Sequence, residues 1–106
     1  MPASKKKPAN RIAISDDMTI YNAAAQKEQL VGALAAATGR LEIDLAAVTE
    51  IDTAGFQLLM LIKREARRLD KRAQIVAHSE AVREVIDFYH MAAEFGDPLL
   101  IPAHKA

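Results

Sequence analysis

The chain has no cysteine, so disulfides, thiolate zinc sites and thiol nucleophiles are all excluded. Aromatic residues make up only 5% and tryptophan is absent, which leaves no stacking platform for bases or sugars. Lys and Arg number 14 and Asp and Glu 14, and a net charge of zero argues against nucleic acid as the main partner. No apolar run approaches the roughly 18–20 residues of a membrane span, so no membrane insertion is expected. Lys5-Lys6-Lys7 runs into Pro8-Ala9-Asn10-Arg11 and not into an apolar segment, so no signal peptide is read and the cytoplasm is the expected location. The four glycines stand scattered at 32, 39, 55 and 96, without a phosphate-cradling loop. His78, His90 and His104 show no metal-ligand spacing. No pattern supports an enzyme, and neither a metal nor a cofactor is expected.

What is present is a chain of 106 residues, 51% apolar and rich in Ala, Leu and Ile. That is one domain with one aliphatic core. Residues 1 to 10, with two prolines and three consecutive lysines, read as a disordered, solvated arm, and residues 11 to 106 as the domain. Arg11 to Ser15 alternates as a strand does, and Asp16-Asp17 is a turn pair. Met18-Thr19-Ile20 is a short second strand or the lead into a helix. Tyr21 to Thr38 is rich in helix formers, and Gly39 follows as its cap. Leu41, Ile43 and Leu45 alternate with Glu42 and Asp44 as another strand. Residues 54 to 69 make a second helix with Leu59, Ile62, Ala66 and Leu69 on its inner face. Leu58 and Leu61 lie off that face and are either buried under the sheet or left as an apolar patch. Gln74 to Ala77 is a further strand. Ser79 caps a third helix through about Tyr89, whose inner face is Val82, Val85, Ile86 and Tyr89. Leu99-Leu100-Ile101, between Pro98 and Pro102, reads as a short edge strand. Strands alternating with helices predict an α/β domain: a mixed, mainly parallel central sheet of about 4–5 strands with about 3 main helices against it.

Asp52-Thr53-Ala54-Gly55 falls at the junction between an acid-tipped apolar stretch and the second helix. A helix start carries free N–H groups and a positive dipole end, so it favours a negative group. Thr53 is therefore either a simple cap, a role Asp52 could also fill, or a place to put and read a phosphate. A phosphate adds about −1.5 to −2 charge and three acceptor oxygens. At an exposed helix start it gains about 0.3–1 kcal/mol, part of it offset by the like charge of Asp52. The fold would hardly notice, but a partner packed on this surface would, because mismatched charge at an interface costs several kcal/mol. Thr49 is a turn residue and a weaker candidate for a second modified position.

The stretch Leu41-Glu42-Ile43-Asp44-Leu45 … Val48-Thr49-Glu50-Ile51-Asp52-Thr53-Ala54-Gly55-Phe56-Gln57-Leu58-Leu59 resembles the central signature of STAS domains, the family that includes the bacterial anti-sigma-factor antagonists. That signature is an apolar strand ending in Asp-Leu, a Ser/Thr-bearing turn, then Asp-Ser/Thr-Ser/Thr-Gly opening a helix. Thr19 to Ala24 also resembles the family's entry to its first helix, and the likeness covers about residues 11 to 102. It implies a non-enzymatic domain used in partner switching. A serine kinase that is also an anti-sigma factor would phosphorylate Thr53, and the phosphorylated form would let go. Asp52 would be the neighbouring acid and Gly55 the small residue that lets a partner or backbone come close. Asp52, Thr53, Ala54, Gly55, Gln57 and Thr49 would face the partner. Ala54 departs from the family's second Ser/Thr. Asp-Thr-Ala-Gly is also similar to the STAS subunits of lipid-transport ATP-binding cassette complexes, where the domain is a bound accessory. A constitutive adaptor on such an ATPase, or in a chemotaxis-like signalling array, is therefore the alternative.

Lys63, Arg64, Arg67, Arg68, Lys71 and Arg72 crowd the end of the second helix. They are either a solvated face matched to the helix dipole or a docking surface for an acidic partner. Asp16, Asp17 and Asp52 invite comparison with phosphorylated receiver domains. The chain is too short for five βα units, however, and the acid pair falls in a turn. A small nucleotide-binding module has no motif in its favour.

Overall fold

The computed structural model describes the backbone of residues 10–94 and the side chains of residues 10–90. Three strands and three helices alternate: β1 (Arg11–Ala13), α1 (Ala23–Ala36), β2 (Arg40–Leu45), α2 (Thr53–Arg68), β3 (Arg72–His78) and α3 (Glu80–Glu94). The strands lie side by side in the order β1-β2-β3, and both pairs are parallel. A helix follows each strand, as parallel neighbours require.

Among the described residues the sheet has three strands, all parallel, where the sequence predicts a mixed, mainly parallel sheet of about 4–5. Met18-Thr19-Ile20 does not become a strand. Met18 alone makes a parallel bridge, to Ile51, and the chain then turns, with the Asn22 N–H bonded to the Thr19 carbonyl. That turn also holds Tyr21 and Asn22 out of α1. The expected strand at Leu99 to Ile101 lies outside the described residues, as do residues 1 to 9 of the expected arm. Asn10, the arm's last residue, is held: its side chain exchanges hydrogen bonds of 3.3 and 3.4 Å with Thr38.

Leu41, Ile43 and Leu45 form the buried face of β2. They share one core with Leu30 and Leu34 of α1, Leu58, Leu59, Ile62 and Ala66 of α2, and Val82 of α3. Each such Leu, Ile or Val side chain contributes about 1.5–3 kcal/mol on burial. Leu58 is therefore core and Leu61 half-buried, while Leu69, expected on the inner face, lies exposed just past the end of α2. Glu42 and Asp44 point the other way, where Arg11 bonds both and Arg40 bonds Glu42.

Local signals set the helix ends. The Ser79 hydroxyl accepts the Val82 N–H at 3.2 Å and caps α3 as expected. Gly39 has φ +88 and turns the chain into β2, three residues beyond the last residue of α1. The end of α1 is closed locally by the Ala37 N–H, which bonds the Leu34 carbonyl at 3.2 Å, and from far away by the Lys71 ammonium, which donates to the carbonyls of Leu34 and Ala35 at 2.9 and 3.1 Å.

Candidate functional site

The start of α2 is assembled from two segments thirty residues apart. The Met18 N–H bonds the Glu50 carbonyl at 2.8 Å, and the Asp52 N–H bonds the Met18 carbonyl at 3.1 Å. This clamp presses the fully buried Met18 against the first turn of α2. Gly55 is the reason it fits. A Cβ at Gly55 would lie 2.1 Å from the Met18 carbonyl oxygen and 2.9 Å from Ile51 Cγ1. Gly55 is thus buried, and the backbone it admits is the protein's own.

Asp52 is the cap of α2. One carboxylate oxygen accepts the Gly55 N–H at 3.1 Å and the other accepts the Ile20 N–H at 3.1 Å. The carboxylate closes the helix start and fastens the loop of residues 19–22 to it. Thr53 is released from capping and takes the first helical position. Its half-buried hydroxyl lies 3.4 Å from the Tyr89 hydroxyl of α3. The N–H groups of Thr53 and Ala54 find no acceptor among the described residues, so the helix start retains bare donors.

Asp52 stands where three shallow depressions meet, and Thr53 borders two of them. The first, about 410 Å³, is lined by Asp17, Tyr21, Asn22, Glu50 and Asp52, with Thr19 and Ile51. The second, about 320 Å³, lies toward α3 against Glu84, Val85, Phe88 and Tyr89. The third, about 350 Å³, is bounded by Ile20, Ala54 and Gln57. Gln57 is exposed and Ala54 half-buried. The Thr49 hydroxyl donates to Asp17 at 2.8 Å, so Thr49 pins the Asp16-Asp17 turn beside the same surface.

Several participants carry no signal in the sequence. Ile20 and Tyr21 are 68% and 92% exposed beside Asp52. An exposed apolar pair on a loop that is hydrogen-bonded in place is an arrangement fit for contact. Phe56 stacks on Tyr89 with ring centroids 4.1 Å apart, and Phe88 meets Tyr89 edge-on at 5.1 Å. Three of the described aromatics, Phe56, Phe88 and Tyr89, thus gather near Thr53. Gln26 is buried and donates to the carbonyls of Asp16 and Asp17 at 3.3 and 2.9 Å. It supports the turn from beneath.

Among the described residues no group of three His, Asp or Glu side chains is placed to hold a metal. No described helix is long and apolar enough to cross a membrane. A protein-family model described as Mlab, STAS domain matches residues 2–101. No curated protein matches the chain.

Proposed function

The chain belongs to the STAS domain family, and from that premise we propose that it is a non-enzymatic docking domain whose partner seats on the start of α2. STAS domains are in general protein-binding modules without chemistry of their own. The observation that carries the reading is the division of labour at residues 52 and 53. Asp52 does the capping, so the Thr53 hydroxyl is spared for another use where two of the three depressions meet. Around it Ile20, Tyr21, Ala54 and Gln57 supply contact area, and Thr49 and Gly55 hold the frame.

The finer reading is partner switching of the anti-sigma-factor-antagonist type, with Thr53 as the phosphoacceptor and a serine kinase as partner. A phosphate on Thr53 has bare N–H groups beside it, which favour it, and the Asp52 carboxylate, which opposes it. It also breaks the contact with Tyr89. The net effect on folding is small, while a partner packed on Ile20 and Tyr21 meets a new dianion, and a loss of several kcal/mol there is a hundredfold or more in affinity. Intact mass after incubation with the cognate kinase and ATP tests it: one phosphate is gained by the native chain and none by Thr53→Val. No mass gain, with full partner binding by Thr53→Glu, refutes the switch.

The constitutive adaptor is kept as a second reading because two observations favour it. The matching family model is described by the name Mlab, and residue 54 is Ala, without a second hydroxyl at the helix start. Under this reading the same surface holds an ATPase subunit or a signalling array permanently. Co-purification from native cells separates the two: a kinase supports switching, and a transporter ATPase or receptor array supports the adaptor.

A further inference from the structure

The opposite end of α2 carries a second surface. Lys63, Arg67, Lys71, Arg72, Ala73 and Gln74 line a groove of about 340 Å³ between the last turns of α2 and the start of β3. Four of the six residues are cations and none is acidic. At 16 residues, α2 is about 24 Å long, so this groove and Thr53 lie at its two ends.

The four cations are not equivalent. Lys63 donates one hydrogen bond to the Ala73 carbonyl at 3.1 Å, and Lys71 donates two to the end of α1. Their ammonium groups are held in fixed places, with donors to spare. Arg67 and Arg72 are exposed, and neither makes an ion pair or a side-chain hydrogen bond among the described residues. The neighbouring Arg68 differs, because Glu65 takes it in an ion pair. Two tethered ammonium groups with two uncommitted guanidinium forks form an array that matches carboxylates, since guanidinium binds them bidentately.

We propose that this groove is a second docking surface, one that takes an acidic segment of a protein partner and makes the domain a bridge between two proteins. Charge complementarity selects the occupant. The chain is neutral as a whole, so it lacks the long-range field that gathers a polyanion such as nucleic acid. A membrane surface would need a broad apolar face among the cations, whereas Leu69, 37% exposed, is a single side chain beside them and the most exposed apolar residues, Ile20 and Tyr21, stand at the other end of α2. A short run of Asp and Glu fits a concave site with four cations. The inference is independent of whether Thr53 is phosphorylated.

The test is a titration of the full-length ¹⁵N-labelled chain with the acetylated, amidated octapeptide of alternating Glu and Asp, at 150 mM NaCl. Amide shifts are expected at residues 63–74 and not around Thr53. The Arg67→Glu and Arg72→Glu variants each weaken binding by about tenfold or more, with unchanged spectral dispersion showing that the fold is intact. Lys71 is left alone because it also closes α1. Charge reversal of an unrelated exposed cation, Arg83→Glu, leaves binding unchanged. Absence of shifts, shifts spread over the whole surface, or equal weakening by Arg83→Glu overturns the proposal. So does tighter binding, lost in the same two variants, of a single-stranded 20-mer DNA or of phosphatidylglycerol vesicles.

Discussion

The two ends of α2 are built on opposite principles. Its start depends on residues far away in sequence: Met18 wedged against Gly55, and one carboxylate of Asp52 fastening both the helix and the Ile20 N–H. Its far end is rich in local charge, with Arg67 and Arg68 in the last turn where the dipole favours cations. The lesson is one of tolerance. A surface built on long-range clamps has a rigid frame and few substitutable positions within it. A surface built of exposed cations loses charge readily and fold hardly at all. The exception is Lys71, which belongs to the charged end by composition and to the clamped end by what it does, since it reaches across to α1.

The strongest way to break this contrast is Gly55→Ala. With the new methyl driven into the Met18 carbonyl, a loss of more than about 2 kcal/mol is expected, read from the urea midpoint. If the variant is as stable as the native chain, the clamp is not as tight as described. Asp52→Ala comes next, at about 1–2 kcal/mol for the lost cap. Asp52→Asn sharpens the point: its amide oxygen still accepts the Gly55 N–H, but nothing accepts from Ile20, so an intermediate stability is expected. Lys71→Met tests the exception, and about 1 kcal/mol should be lost as the Ala35 carbonyl loses the ammonium donor and the Leu34 carbonyl keeps only the Ala37 N–H. A change no larger than that of an exposed arginine would return Lys71 to the solvated face.

Smaller effects are expected at the exposed positions. Ile20→Ser and Tyr21→Ala should shift stability by no more than about 0.5 kcal/mol, yet weaken capture of a native partner sharply. Retained capture would move the docking surface elsewhere. The smallest effect concerns Glu65. Its hydrogen bond from Arg68, and then the charge of Arg68, hold its carboxyl below the ordinary glutamate value despite some opposing desolvation. A carboxyl lowered in the folded state stabilises above its unfolded value, and that contribution fades as pH falls through the folded value. The pair is solvent-exposed, so the side-chain titration seen by NMR should return toward the ordinary value in 1 M NaCl.

Much of this architecture is legible in the residues. The alternation of Leu41, Ile43 and Leu45 gives β2, the three-and-four spacing of Leu59, Ile62 and Ala66 gives the inner face of α2, and Ser79 marks the start of α3, because each signal acts within one or two turns of chain. What is not legible depends on distance. Nothing around Met18 announces that it pairs with Ile51, so a bridge of one residue reads either as a strand of three or as the lead into a helix. The choice between Asp52 and Thr53 as cap is open locally and is decided by a second acceptor duty, toward Ile20. Tyr21 and Phe88 look like ordinary members of helices until the turn at residues 19–22 and the packing of α3 bring them to either side of Asp52. The motif marks the candidate site, but the loop and helix around it come from tertiary contacts.

One consequence follows for how such a domain could change allegiance. The side chains of residues 20, 21 and 57 stand on the surface without bonding to the frame, while Met18, Asp52 and Gly55 hold the start of α2 together. A lineage carrying this frame could rewrite the outer three side chains one at a time. Each intermediate would fold, and partner choice would drift without passing through an unstable ancestor.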